Sequence, residues 1–221
     1  QTQKVASGAI TNGKPVVINT DGTAGVPFSA QTIYNEALSY TNTIATNGSG
    51  TFVILWVGTA PAYQGYVVAG TISGNTVTLG TPVLYVSEGN IADDNTSIVY
   101  DPDEDKFVLV YSDGGAGNYL TARVASVSGT TITLGTAVVI NSQNVVSHQA
   151  VYDTSADKVV VAFRGHTNDL LAGVVGTVSG TSISFGSLTT LVPQGGSIGR
   201  PYYIRAAYDA NANKTAIFWQ N

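Results

Sequence analysis

The chain has 221 residues, 43% hydrophobic and only 10% charged, with a formal net charge of −5, enough for one compact domain or one repeat array with a continuous core. The acidic balance, with no run of Lys or Arg, argues against a nucleic-acid partner, and no stretch is apolar over the ~18 residues a membrane-spanning helix needs. Cysteine is absent, so there is no disulfide framework, thiolate chemistry or cysteine zinc site to find.

Twenty-five glycines among abundant Thr, Ser, Val and Ile point to an all-β protein of many short strands. Methionine is missing even at position 1, so the chain is expected to be processed or a piece of something longer. It opens with a hairpin pattern, VASGAITNGKPVVIN (Val5–Asn19). Residues 20–42 then interrupt the pattern and hold the one expected helix, Ala30–Tyr40, with Ser29 as N-cap and Ile33, Ala37 and Leu38 on one face. A plug at one end of the fold and a surface loop are both open readings for it.

From residue 42 onward two hairpins alternate. The first appears as NTIATNGSGTFVILWV (Asn42–Val57), TSIVYDPDEDKFVLVYS (Thr96–Ser112), HQAVYDTSADKVVVAFR (His148–Arg164) and IRAAYDANANKTAIFWQ (Ile204–Gln220). In the last three copies a Tyr-Asp pair precedes a turn, and Lys106, Lys158 and Lys214 follow five residues after the Asp. Each copy ends near an aromatic residue: Trp56, Tyr111, Phe163 or Trp219. The second hairpin appears as AGTISGNTVTLGTPVLYV (Ala69–Val86), ASVSGTTITLGTAVVIN (Ala125–Asn141) and VGTVSGTSISFGSLTTLV (Val175–Val192). Gly74, Gly129 and Gly180 mark its turn, and Gly80, Gly135 and Gly186 follow six residues later.

Val5–Asn19 is the fourth copy of the second hairpin, so four copies of each half are present, cyclically shifted by half a unit. Four-stranded units of this length are the signature of β-propeller blades. The expected fold is therefore an all-β propeller of about four antiparallel blades: residues 43–86, 97–141, 149–192, and a composite of 205–221 with 5–19. A composite blade ties such a ring shut and removes open edges. Closure within one chain, closure between chains in a homo-oligomer, and a fragment of a larger ring all remain open at this point. Pro15 and Pro82, at equivalent starts of the outermost strand, fit an edge position.

Few residues carry recognisable chemistry. Asp101, Asp103, Glu104 and Asp105 form a carboxylate cluster that suits Ca²⁺, but the matching turns carry less charge, and turn formation explains all the copies. His148 and His166 lack zinc spacing and read as surface or rim residues. Ser147, His148 and Asp153 compose a triad on paper only, with no G-x-S-x-G elbow. The sialidase-type box S-x-D-x-G-x-T-W is also missing, and no carboxylate pair stands out for glycoside hydrolysis. No catalytic, metal or cofactor residue is assigned. Thr43, Ser97, Gln149 and Arg205, one polar residue per blade, are expected to line a central channel.

The loops joining the two hairpins vary while their flanks repeat, and ligand contact is expected there. The candidate binding residues are Tyr63 and Tyr66 in the first, Asp113, Asn118 and Tyr119 in the second, and Arg164, His166, Asn168 and Asp169 in the third. Such rings and polar groups suit a sugar or a peptide.

GTVSGTSISFG (Gly176–Gly186), YDTSADKVVVAFRG (Tyr152–Gly165) and VASGAITNGKPVVINTDGT (Val5–Thr23) resemble tandem-repeat, propeller-like virion proteins of tailed bacteriophages, of the type found in phages of marine bacteria and cyanobacteria. The copy at Thr46 departs from that pattern by lacking the Tyr-Asp pair. The resemblance implies a non-enzymatic structural component of a tail fibre, spike or surface decoration, located on the extracellular virion surface. Its partners would be other virion proteins and a host-surface glycan. The alternatives are a free-standing lectin-like carbohydrate-binding propeller and, less favoured, a propeller glycoside hydrolase. Fold analogy alone does not choose among them.

Overall fold

The computed structural model describes residues 5–6, 17–18, 23–25, 41–58, 63–74, 76–88, 96–165, 170–192 and 201–220. Its first three strands are short: β1 (Val5–Ala6), β2 (Val17–Ile18) and β3 (Thr23–Gly25), with β3 parallel to β1 and antiparallel to β2. The helix expected over Ala30–Tyr40 lies outside the described residues.

The repeats then become four successive sheets. Sheet I holds β4 (Thr41–Thr46), β5 (Thr51–Val57), β6 (Gly65–Ser73), β7 (Thr76–Leu79) and β8 (Val83–Val86). Sheet II holds β9 (Thr96–Asp101), β10 (Lys106–Asp113), β11 (Tyr119–Ser128), β12 (Thr131–Leu134) and the start of β13 (Val138–Asp153). Sheet III continues with the rest of β13, β14 (Lys158–Gly165), β15 (Leu171–Ser179), β16 (Ser182–Phe185) and β17 (Thr189–Val192). Sheet IV is the hairpin β18 (Tyr202–Asp209) and β19 (Lys214–Gln220). Every pairing in sheets I–IV is antiparallel, so the all-β, antiparallel expectation holds.

Two details differ from the simple four-strand picture. The outermost strand of each complete sheet is broken: β7 pairs with the far half of β6 and β8 with its near half, and the Gly80-Thr81-Pro82 step between them takes the proline out of the ladder. And β13 belongs to two sheets, edging β11 through Val138–Asn144 before serving as the first strand of sheet III from Val145. Among the described residues β19 pairs with β18 alone, whereas β1 and β2 pair with β3.

The turns follow from their sequences. Asp101 Oδ1 accepts the Asp103 and Glu104 amides at 3.0 and 3.1 Å. Asp153 and Asp209 do the same for the amides two and three residues on. Each of these turns ends on a left-handed residue, Asp105, Asp157 or Asn213, at φ of 52, 54 and 50°, which Asn and Asp tolerate better than most side chains. Gly74, Gly129 and Gly180, at φ of 57 to 60°, turn the second hairpins.

The sheets stack face to face. The inner face of sheet I (Val53, Leu55, Val67, Ala69) buries Ile98, Phe107, Leu109 and Tyr111 of sheet II. The opposite face of sheet II (Val108, Val110, Leu120, Val124) packs in turn on Ala150, Val159, Val161 and Phe163 of sheet III. Ala162 and Leu171 of sheet III meet Ile204, Ile217 and Trp219 of sheet IV. The period-2 alternation of each strand thus supplies a face to both neighbours. The first strands β4, β9, β13 and β18 pack in that order.

Candidate functional site

Hydroxyls and one imidazole fasten the first strands together. The Ala150 amide donates to Ser97 Oγ (3.2 Å), and the Ile204 amide to Ser147 Oγ (3.1 Å). His148 Nε2 lies 3.1 Å from the Val110 carbonyl oxygen, a contact that places the proton on Nε2. Ser97 is buried and does not line a solvated channel; of its three counterparts Thr43 and Gln149 are half-buried and Arg205 is exposed. His148, read from the sequence as a surface or rim residue, is 1% exposed. It follows Ser147 on one strand, so the two side chains point to opposite faces, and Asp153 is engaged in its own turn. No triad forms from these three residues.

The carboxylate cluster is likewise occupied by protein donors. Asp101 is buried and holds two amides, Asp105 Oδ1 accepts the Tyr100 hydroxyl at 2.8 Å, and Glu104 Oε2 accepts the Gly180 amide of sheet III at 3.0 Å. Burial, the Asp105 bond and the nearby carboxylates push the Tyr100 phenol up to about 12. Tyr152, half-buried and facing Asp101 of the preceding sheet, is pushed higher still, by burial first and then by that carboxylate. Burial alone would raise the Asp153 carboxyl, but the Ala156 and Ser155 amides and the Tyr208 hydroxyl hold it below its ordinary value. No group of three or more metal-ligating side chains occurs among the described residues.

The three inter-hairpin loops leave equivalent ends of sheets I, II and III, but they present different things. At the start of the third, Arg164 is 2% exposed and donates from Nη1 to the Pro201 carbonyl at 3.3 Å. Arg164 is therefore a buried tie between sheet III and the start of sheet IV. His166, Asn168 and Asp169 lie outside the described residues. In the second loop Asp113, Asn118 and Tyr119 are half-buried around a 3₁₀ turn, Gly114–Ala116. Asn118 adopts φ 62°, its amide donates to the Asp113 carbonyl (2.8 Å), and its own carbonyl accepts the Val145 amide (3.1 Å). The Gly114 and Gly115 amides reach back to the Glu88 carbonyl.

The first loop brings candidate side chains together. Trp56 and Tyr66, opposite one another in the β5–β6 ladder, stack with centroids 5.6 Å apart and planes 24° from parallel. The Tyr66 hydroxyl donates to the Gln64 Oε1 at 2.6 Å, and Gln64 and Tyr66 both stay half-exposed. Tyr63, which precedes Gln64 in the chain, takes the left-handed φ of 44° and is half-exposed. A half-exposed ring carrying an oriented amide can stack on the apolar face of a sugar while its polar rim bonds hydroxyls. Of the two tyrosines expected here, Tyr66 belongs to this group, which Gln64 and Trp56 complete. Gln64 was legible only as a side chain two positions before Tyr66, on the same side of an extended segment.

A concavity of about 140 Å³ is lined by Asn141 and Gln143 of β13 together with Phe163, Leu170, Leu188 and Thr190 of sheet III. It is smaller than the roughly 300 Å³ of ordinary small-molecule sites. No family model, no curated protein and no solved structure matches the chain.

Proposed function

We propose that the chain is a non-enzymatic repeat scaffold, its sheets arranged as the blades of a propeller, that serves on a virion surface and touches a host-surface glycan through the β5–β6 loop. The observation that carries the glycan reading is the Trp56–Tyr66 stack with the Gln64 amide oriented at its rim. The virion setting rests on the repeat resemblance of residues 152–165 and 176–186. The blade arrangement is supported by the sheet-on-sheet order and the neighbouring first strands, and rigid stacking of this kind keeps a recognition loop fixed at low entropic cost.

A glycan array with the purified chain tests this reading. Tyr66→Ala, which removes the exposed ring, is expected to weaken the best array ligand at least tenfold, about 1.4 kcal/mol, with Tyr63→Ala falling by a smaller factor. An array with no ligand, or a ligand that both variants bind as wild type does, would overturn the glycan role of this loop.

A further inference from the structure

Among the described residues the two ends of the stack each present an exposed apolar side chain, Phe218 on sheet IV and Ile44 on sheet I, and the interior of the stack shows what such positions bind. At each internal junction one sheet offers a residue from its second strand and the next sheet receives it with residues of its first two strands. Leu55 of sheet I shares a core with Ile98 of sheet II, and Val110 of sheet II shares one with Ala150 of sheet III. Repeat equivalence makes Phe218 the counterpart of Leu55, Val110 and Ala162, and Ile44 the counterpart of Ile98 and Ala150.

The counterparts Leu55, Val110 and Ala162 are at most 1% exposed, whereas Phe218 is 70% exposed. Ile98 and Ala150 are buried, whereas Ile44 is 62% exposed. On the same face of sheet IV the paired Ala207 and Ala216 are also exposed, and the exposed Arg205 stands directly across the ladder from Phe218. Ile44 lies opposite Ile54, which is only half-buried, on the outward face of sheet I. One end of the stack thus presents the offering surface and the other end the receiving surface of the same recurring junction. Large apolar side chains that are exposed where all their repeat counterparts are buried mark an interaction surface.

We propose that the Phe218 face of one copy packs on the Ile44 face of a second copy, head to tail, repeating between chains the junction that joins sheets I, II and III. The interface is heterologous, so two chains that engage at both ends form a closed ring and others extend it. The Trp56–Tyr66 stack lies on the same outward face of sheet I as Ile44 and Ile54, so this interface borders the proposed glycan contact, and the mass of the assembly and the glycan array read the two separately.

The full 221-residue chain is measured by sedimentation equilibrium, together with Phe218→Asp and Ile44→Asp, far-UV circular dichroism confirming that each variant keeps its strands. Wild type is expected at twice the 22.8 kDa chain mass or more, and each variant at the mass of one chain. The absence of cysteine allows a direct second readout that does not depend on disrupting the fold. Phe218→Cys and Ile44→Cys chains are mixed and treated with a short bismaleimide, and a linked pair is expected from the mixture well above that from either chain alone. A monomeric wild type would overturn the proposal. So would an oligomer that Phe218→Asp leaves intact, a mixture that gives no linked pair, or a double variant that links within one chain and runs as a monomer.

Discussion

Gly135 and Gly186 occupy the same place in consecutive repeats but meet different surroundings, and comparing their alanine variants isolates the contact between sheets. A Cβ added at Gly135 would stand 2.0 Å from the Thr181 carbonyl oxygen at the tip of the sheet III turn. Gly80 has the same relation to the Thr130 carbonyl of sheet II, again at 2.0 Å. Neither neighbour is a flexible side-chain end, so the turn itself must retreat by about 1 Å, and overpacking of this kind costs about 1–3 kcal/mol. At Gly186 the nearest atom to an added Cβ is the Val175 carbonyl oxygen at 3.8 Å, an ordinary contact. None of the three glycines has a left-handed φ, so alanine carries no backbone penalty and its stiffening of the unfolded chain contributes about 0.4–1 kcal/mol of stability. Net, Gly135→Ala and Gly80→Ala are expected to lose about 1–2 kcal/mol, and Gly186→Ala to gain up to about 1. In a domain of this size 1 kcal/mol moves Tm by about 2–4 °C. Thermal melts followed by circular dichroism would therefore separate the variants by several degrees in opposite directions. Equal losses at Gly135 and Gly186 would refute the reasoning, because they would mean that a fourth turn fills the Gly186 socket as the others are filled.

The remaining expectations concern the fastenings between sheets. Ser97→Ala and Ser147→Ala each leave a buried amide, of Ala150 or Ile204, without its acceptor; urea unfolding should show a loss of about 1–3 kcal/mol for each, and near-zero losses would show that water replaces the hydroxyl. Removing Arg164 as Arg164→Leu should detach sheet IV first, read as faster hydrogen exchange in β18 and β19 than in β14; uniform exchange across all three strands would contradict that. Tyr111, raised to about 12 by burial with Asp113 adding and Arg123 opposing, and Tyr100, raised to about 12, both favour the protonated phenol in the fold. Their contribution is intact below the ordinary value of 10.0 and is lost as pH rises toward 12. Tyrosinate absorbance should then rise together with unfolding, and complete ionisation near pH 10 with the strands intact would sink the assignment.

The repeat was readable because each turn carries its own chemistry. Asp or Asn at 47, 101, 153 and 209 and glycine at 74, 129 and 180 fix the hairpins locally, and the structure uses them so. Burial of polar side chains was not readable. His148, Ser97 and Arg164 look like surface residues in a Ser-rich sequence, and only the neighbouring sheet, 37 to 53 residues on or back, supplies the carbonyl or amide that satisfies them. The candidate site was half legible for a similar reason. Tyr63 and Tyr66 stood out as aromatic residues in a variable loop, but Trp56 had been absorbed into the repeat as a strand end, and its stacking on Tyr66 depends on register across a ladder. Sequence also divided β13 in two, because extended backbone that leaves one ladder for another carries no turn residue at the crossing.

That uninterrupted β13 has a mechanical consequence. Its sixteen residues, Val138–Asp153, are shared property of sheets II and III, so fraying either ladder strips hydrogen bonds from the same segment of backbone. In the nearest-neighbour picture of repeat proteins the coupling between these two units exceeds what face-to-face packing alone supplies. They should open as one foldon, while the hairpin of β18 and β19, which among the described residues shares no strand with sheet III, opens on its own.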